Sequence, residues 1–119
     1  MSACPFKTIR PVELPSLLGG AAVALDVRDN DYDEGGHFRD SINIPIKVIL
    51  DSTAETLTSL QRYQTIACYC MFSMQRGPAA ATHLATIFPK KTIYVVEGGY
   101  NAILETFHGT ERIVPPKEE

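Results

Sequence analysis

The stretch YCMFSMQRGP, Tyr69 to Pro78, constrains the fold of this chain more than any other part of its sequence. An apolar run ends at Tyr69, Cys70 follows it, and five residues separate Cys70 from Arg76. Gly77 and Pro78 then open an alanine-rich pattern that is typical of a helix. This order predicts a strand, a loop and a helix, which is the repeating unit of α/β domains.

The predicted loop has the chemistry of an anion-binding site built around a cysteine. A loop that closes onto a helix N-terminus presents free backbone N–H groups and the positive end of the helix dipole. That environment stabilises the thiolate of Cys70, and the guanidinium of Arg76 can donate two N–H groups to a tetrahedral oxyanion. We therefore predict a cysteine nucleophile whose oxyanion is held by the loop residues Met71, Phe72, Ser73, Met74, Gln75 and Arg76.

Apolar patterns elsewhere in the chain predict the remaining strands and helices. Strands are expected over residues 6–10, 21–26, 42–45, 65–70 and 91–96, and helices over residues 51–63, 78–88 and 101–107, with a short helix after Pro11. Strands that alternate with helices at this spacing predict a parallel, three-layer α/β domain. We expect one domain over residues 1–119, with a compact core over about residues 6–110 and a frayed tail over about residues 113–119.

Charge and composition limit the partners and the compartment. A net charge of -3 gives no general attraction to nucleic acid or to an anionic membrane, so we expect neither as a partner. No apolar run approaches the roughly 18 residues that span a bilayer, and the N-terminus lacks the apolar core of a signal peptide. The cytoplasm is the expected compartment, with the nucleus as an alternative. Cys4, Cys68 and Cys70 are expected as free thiols, and no residue spacing indicates a metal site.

Three stretches resemble one known family, and they follow its order along the chain. LDVRDNDYDEGGHFRDSINIP, Leu25 to Pro45, resembles the rhodanese-homology signature. YCMFSMQRGP resembles the active loop of the M-phase inducer phosphatases, and VVEGGYNAILETF, Val95 to Phe107, resembles the Gly-Gly turn and last helix of the same family. Small eukaryotic arsenate reductases are similar too. The resemblance implies a rhodanese-like α/β fold, a three-layer domain with a central, mainly parallel five-stranded sheet.

The length of the loop separates the activities that occur on this fold. Members that transfer sulfur have a loop one residue shorter, so the resemblance implies a cysteine phosphatase of the protein tyrosine or dual-specificity type. In such an enzyme Cys70 forms a phosphocysteine intermediate while Arg76 and the loop amides hold the phosphate oxygens. The first alternative is an arsenate reductase in which an external thiol such as glutathione reduces the adduct on Cys70. Further alternatives are a sulfurtransferase and a catalytically silent module that binds a phosphorylated partner.

Substrate and cofactor expectations follow from the same resemblance. The expected substrate is a phosphorylated protein or a small oxyanion. No cofactor is expected, apart from glutathione or another thiol reductant if the protein reduces arsenate. The sequence does not indicate an oligomeric state.

The loop departs from the family at positions that affect activity. Tyr69 stands where these phosphatases usually carry a histidine that helps to ionise the thiol, so we expect a weaker nucleophile. Met71 and Gln75 replace glutamates, one of which is a proposed proton donor, and Val27 replaces a cysteine that protects the nucleophile as a disulfide. Aryl phosphates, which have good leaving groups, would lose least from a missing acid.

Several residues outside the loop are expected to support the site or the fold around it. Asp26 is expected to make structural hydrogen bonds together with Arg28, with the alternative that it orients Arg76. Tyr69 directly precedes Cys70, so a supporting role beside the nucleophile is also possible for it. Three further acidic residues are interpreted as solvated loop charges, with the alternative that one of them donates a proton: Asp29, Asp33 and Glu34.

Overall fold

A computed structural model describes residues 5–29, 31–32, 35–51 and 54–115, with the backbone alone for residues 54–57. The strands are β1 (Lys7–Ile9), β2 (Ala22–Asp26), β3 (His37–Phe38), β4 (Ser41–Asn43), β5 (Thr65–Tyr69), β6 (Thr92–Val96) and β7 (Ile113–Val114). The helices are α1 (Leu14–Leu17), α2 (Ile46–Asp51), α3 (Ala54–Gln61), α4 (Arg76–Ile87) and α5 (Gly99–Phe107), and a 3₁₀ turn over Pro11–Glu13 leads into α1.

A five-stranded parallel sheet forms the centre of the described structure. Its strand order is β1-β6-β5-β2-β4, and each neighbouring pair is parallel. The predicted α/β fold with a central parallel sheet is therefore confirmed. In this register Asp26 at the end of β2 lies opposite Tyr69 at the end of β5. The segments that follow these two strands consequently leave the sheet side by side, at the edge where ligands bind in open α/β sheets.

Two separate hydrophobic clusters cover the two faces of this sheet. On one face α2, α3 and α4 pack against Ile66 and Cys68 of β5. On the other face α1 and α5 pack against Ala67 and Tyr69 of the same strand. The alternation along β5 follows from the two-residue period of a strand, and it produces the predicted three layers. Of the helices described, none is long and apolar enough to cross a bilayer.

The C-terminal segment differs from the prediction. Ile113 and Val114 were expected to belong to a frayed tail, but they form β7, which pairs antiparallel with Phe38 and His37 of β3. Ile113 also packs against the cluster on the α5 face. This pairing joins segments that are far apart in the sequence, so no local sequence pattern predicts it. Residues 116–119 lie outside the described residues.

The region before β5 also differs in detail. One helix was predicted over residues 51–63, whereas the chain already forms α2 at Ile46–Asp51 and then α3 at Ala54–Gln61. Helix α2 begins directly after Pro45, a residue that was expected to end a strand. Proline fits this place because its missing N–H is not needed at a helix start. Residues 52 and 53, which separate the two helices, lie outside the described residues.

Candidate active site

Cys70 directly follows β5 and lies at the base of the loop that leads into α4. It is 3% exposed. Its Sγ accepts hydrogen bonds from two backbone amides, Ser73 N at 3.1 Å and Gly77 N at 3.3 Å. Gly77 lies in the first turn of α4, so the sulfur receives amides from both the loop and the helix N-terminus. Both N–H groups therefore point at the sulfur, where a reacting group would be held.

The loop backbone is held in a conformation that turns these amides inward. Ser73 has φ of 54°, a left-handed conformation that costs free energy for a residue with a side chain. Its Oγ is buried and has no hydrogen-bond partner among the described residues. A buried hydroxyl without a partner costs free energy. The Ser73 hydroxyl therefore has a donor available for an oxygen atom that enters the loop.

The Gly98-Gly99 turn, at which α5 begins, contacts the loop on the side of α5. Gly98 and Gly99 have φ of 75° and 61°. A Cβ at Gly99 would lie 2.5 Å from the Cys70 carbonyl oxygen, so the turn can approach the loop only as glycine. Beyond it, the amides of Tyr100 and Asn101 donate to the carbonyl oxygens of Cys70 and Met71, at 2.8 and 2.9 Å. The glycine turn thus lies beside the loop, and the residues that follow it bind the loop carbonyls on the side of α5.

Arg76 begins α4, and its guanidinium makes a two-pronged ion pair that sequence analysis did not find. Its Nη1 and Nη2 donate to Oδ1 and Oδ2 of Asp31 at 2.7 and 2.6 Å. Asp29 Oδ2 lies 3.6 Å from Nη1. Hydrogen bonding to Arg76 lowers the pKa of Asp31, and the same bond raises the pKa of Arg76. Asp31 follows β2, and the Cys70 loop follows β5 at the same edge of the sheet. This shared edge is the signal in the sequence that could have identified Asp31 as a site residue.

Asp26 does not orient Arg76, so that alternative is wrong. The fully buried Asp26 carboxylate accepts hydrogen bonds from the backbone N–H and the guanidinium of Arg28, with Nη2 to Oδ2 at 2.7 Å. Burial raises the pKa of Asp26, and hydrogen bonding to Arg28 opposes that rise. The structural interpretation of this pair is confirmed. Strand alternation explains the outcome, because Asp26 lies on the face of Ala24 and Tyr69, away from α4.

Tyr69 also belongs to the other side of the sheet. Its side chain is fully buried in the cluster on the α5 face, with its ring stacked on Tyr100 at a centroid distance of 6.4 Å. Burial raises the pKa of Tyr69, and the neighbouring Asp26 charge raises it further. Tyr69 therefore packs the core behind the loop, and the predicted supporting role beside the nucleophile is corrected to a structural one.

Cys68 lies in the core on the face that α4 covers. It is fully buried, and burial raises its pKa to about 12. A thiol in that state is a poor nucleophile. Cys68 and Cys70 are both free thiols, as the sequence predicts. Cys4, Asp33 and Glu34 lie outside the described residues.

The outer rim of the loop is apolar. Phe72 is 55% exposed and Met74 is 81% exposed. Together with Cys70, Gln75 and Arg76 they line an open pocket of about 240 Å³. Larger hollows of about 460 and 430 Å³ lie elsewhere on the molecule, but neither is lined by a cysteine. The structure thus brings five of the predicted site residues together in one open pocket, and their catalytic roles stay predictions. Met71, which was predicted to hold the oxyanion, instead packs its side chain against the cluster on the α5 face.

Known proteins resemble this chain in both sequence and structure. An M-phase inducer phosphatase from Dictyostelium discoideum is 27% identical over 108 residues, which cover 80% of this chain and 10% of that protein. The chain therefore spans about a tenth of the length of this curated relative.

Solved structures share the fold over most of their length. The As-Sb reductase from Leishmania major is 26% identical, with a TM-score of 0.69 over 89% of this chain and 81% of that chain. The Saccharomyces cerevisiae protein Ygr203w, a homologue of single-domain rhodanese and the Cdc25 phosphatase catalytic domain, is 23% identical, with a TM-score of 0.75 over 92% of this chain and 86% of that chain. At that identity the second likeness concerns the fold alone.

A family match agrees with these likenesses and with the parallel sheet described above. Residues 11–106 match the family described as Rhodanese-like domain. That range contains the central strands from β2 to β6, the Cys70 loop and most of α5. The chain belongs to the rhodanese-like domain family.

Proposed function

We propose that this protein is a cysteine-dependent phosphatase of the protein tyrosine or dual-specificity type, with Cys70 as its nucleophile. One observation carries the proposal: the Cys70 sulfur accepts hydrogen bonds from two backbone amides in a loop that ends at Arg76. Backbone amides fixed around a nucleophile stabilise the negative charge that develops on transferred oxygens. The similarity to an M-phase inducer phosphatase supports the same chemistry.

The reaction would proceed in two displacements. The thiolate of Cys70 attacks phosphorus, an S–P bond forms, and the bond from phosphorus to the ester oxygen breaks. The leaving oxygen takes a proton and departs as the alcohol. Water then attacks the phosphocysteine, releases inorganic phosphate and restores the thiol group. During both steps the loop amides and Arg76 hold the non-bridging oxygens, and the unpartnered Ser73 hydroxyl can donate to one of them.

Protonation of the leaving oxygen is the demanding step for this loop. Met71 and Gln75 carry no acid, so the described loop supplies none. An aryl oxide leaves without strong protonation, whereas an alkoxide does not. We therefore expect aryl phosphates to be hydrolysed faster than alkyl phosphates.

A phosphate-release assay tests the proposal. The wild-type protein should hydrolyse para-nitrophenyl phosphate under reducing conditions, and Cys70→Ser should abolish that activity because its hydroxyl is a far weaker nucleophile. Cys68→Ala is the matched control, since Cys68 is a buried cysteine two positions earlier. Absence of activity in the reduced wild-type protein would refute the phosphatase. Retained binding of inorganic phosphate in that case would favour the silent binding module.

Arsenate reduction is the second candidate, and the 26% identity to the As-Sb reductase favours it. In that reaction Cys70 would displace an oxygen of arsenate as water and form a thiol–arsenate adduct. External thiols such as glutathione would then supply two electrons, reducing As(V) to As(III) as the thiols become a disulfide. The rates of arsenate reduction with glutathione and of phosphate ester hydrolysis, measured on one preparation, decide between the two activities.

A further inference from the structure

We propose that Asp31 is a positioning residue that holds one edge of the Arg76 guanidinium and leaves the adjacent edge to the bound oxyanion. This inference rests on the proposed oxyanion chemistry at Cys70. It assigns a role in the site to the segment after β2, which lies beside the Cys70 loop at the same edge of the sheet.

The contacts between the two side chains use one edge of the guanidinium. Asp31 Oδ1 and Oδ2 accept from Nη1 and Nη2, the two terminal nitrogens of Arg76, at 2.7 and 2.6 Å. A guanidinium has five N–H donors. The Nε–H and the second Nη2–H form its adjacent edge, and Nε makes no hydrogen bond to any residue that the structure describes. Two parallel donors of this kind match two oxygens of a phosphate or arsenate.

Arg76 needs a partner of this kind because its side chain is long and partly exposed. The Arg76 side chain is 31% exposed at the start of α4. A free arginine side chain has several rotatable bonds, and fixing them upon substrate binding costs conformational entropy. A guanidinium that is already held in place avoids that cost when the oxyanion arrives.

Asp31 is itself anchored to the backbone. Its Oδ1 accepts a hydrogen bond from the amide of Asp29 at 3.1 Å, close to the end of β2. The chain of contacts therefore runs from the central sheet through the Asp29 amide and the Asp31 carboxylate to Arg76. Asp29 Oδ2 lies 3.6 Å from Nη1, which is too far for a second bond of the same quality.

A competing role for Asp31 makes the opposite prediction. If its carboxylate occupied the donors that the oxyanion requires, Asp31 would act as an inhibitor, and its removal would strengthen oxyanion binding. The positioning role predicts that its removal weakens binding, since the remaining edge of Arg76 is no longer held. The two roles therefore differ in the sign of one measurable effect.

Tungstate binding, followed by calorimetry, measures that sign without turnover. In Asp31→Ala we expect affinity for tungstate to fall about tenfold and kcat on para-nitrophenyl phosphate to fall by a similar factor. Asp31→Asn, which keeps one acceptor oxygen, should lose less. Asp40→Asn changes an exposed aspartate away from this loop and should change neither quantity. Tighter tungstate binding in Asp31→Ala would overturn the proposal.

A double-mutant cycle shows whether Asp31 acts through Arg76. A lysine has one ammonium group and no second edge, so Asp31→Ala should have little effect in an Arg76→Lys background. An equal loss in both backgrounds would indicate a merely structural role and would refute positioning. Far-ultraviolet circular dichroism of each variant checks that the fold is kept.

The same experiments separate this inference from the proposed phosphatase activity. If the wild-type protein binds tungstate with the expected dependence on Asp31 but hydrolyses no aryl phosphate, the phosphatase fails and the positioning role holds. If the wild-type protein does not bind tungstate at all, the positioning role is refuted.

Discussion

Arg28 is a fully buried charged residue, and it contacts both neighbouring and distant parts of the chain. Its guanidinium pairs with Asp26, donates to the carbonyl oxygen of Gly36 at 3.0 Å, and lies 4.2 Å from the ring centroid of Tyr100. The pair thereby connects the end of β2 to α5 and to the segment before β3. Buried pairs of this type matter most when one partner is removed, because the other charge then remains in the core.

Arg28→Met should therefore destabilise the protein strongly. The variant keeps the side-chain bulk but leaves the Asp26 carboxylate buried without its partner, and we expect a loss of about 3–5 kcal/mol in the free energy of unfolding. Urea denaturation measures it. Lys47→Met, at an exposed position of α2, serves as the control and should change stability little. Equal stability of the two variants would show that the buried pair contributes nothing.

Asp31 gives the stability of the protein a defined pH dependence. Its pKa in the folded state lies below the ordinary value of 3.8, because Arg76 stabilises the carboxylate. Between the folded-state pKa and 3.8, the unfolded chain binds more protons at Asp31 than the folded chain does. The Asp31–Arg76 pair therefore stabilises the fold fully above pH 3.8, and this stabilisation is lost as the pH falls through the folded-state pKa. Asp31→Asn removes the contribution. We expect the stability difference between wild type and variant to shrink on acidification below about pH 4, as measured by urea denaturation across pH.

At the scale of elements, the site depends on how closely the Gly98-Gly99 turn at the start of α5 approaches the Cys70 loop. Gly99 has φ of 61°, and a Cβ on it would lie 2.5 Å from the Cys70 carbonyl oxygen and 2.7 Å from the Ser73 amide nitrogen. Gly109 offers a comparison, since its φ is 79° but a Cβ there would meet no atom within 4 Å. Alanine substitutions at Gly99 and Gly109 therefore distinguish the effect of backbone strain from that of a clash with the loop.

Gly99→Ala should damage the site as well as stability. Backbone strain alone costs about 1 kcal/mol, and Gly109→Ala should show that cost without any loss of tungstate affinity. Gly99→Ala adds the clash, which displaces the loop carbonyls and the Ser73 amide, and should weaken tungstate binding by more than about tenfold. Calorimetry and thermal unfolding of both variants give the comparison. Normal tungstate affinity in Gly99→Ala would mean that the loop conformation does not depend on this turn.

At the scale of the whole molecule, the antiparallel pair β3–β7 links the segment after β2 to the C-terminal end of the described fold. Phe38 is fully buried and lies 5.7 Å from the ring of Phe107, with Ile113 packed against the same cluster. Arg39 adds a backbone bond to the Arg112 carbonyl oxygen at 2.7 Å. The C-terminal segment thus belongs to the folded core up to β7.

Ile113→Ala tests this conclusion. Removing a partly buried isoleucine side chain from the cluster should lower the free energy of unfolding by about 1–2 kcal/mol. Val12→Ala, at a position that is 56% exposed, is the matched control and should cost far less. A frayed segment would predict the same small effect for both variants, and that result would contradict the pairing of β7.

The sequence by itself determined the α/β sheet and the composition of the Cys70 loop. Both depend on local patterns: an apolar run read at a two-residue period, a glycine and a proline at a helix start, and five residues between Cys70 and Arg76. Such patterns act within a few residues, and their spacing specifies which atoms can meet around the sulfur. The Gly98-Gly99 pair at the start of α5 was likewise recognisable in the sequence as a turn, because glycine readily adopts positive φ.

Only the tertiary structure decided which side chains support that loop. Asp26, Asp29 and Asp31 are chemically alike in the sequence, yet Asp26 lies on the opposite face with Arg28, whereas Asp31 reaches Arg76 across 45 positions of the chain. The pairing of β7 with β3 is equally nonlocal. Contacts of this kind depend on strand order and on the faces of neighbouring strands, and a one-residue change in phase moves a side chain to the other face. The local pattern specifies the Cys70 loop, and the packed sheet selects the acidic residue that pairs with its arginine.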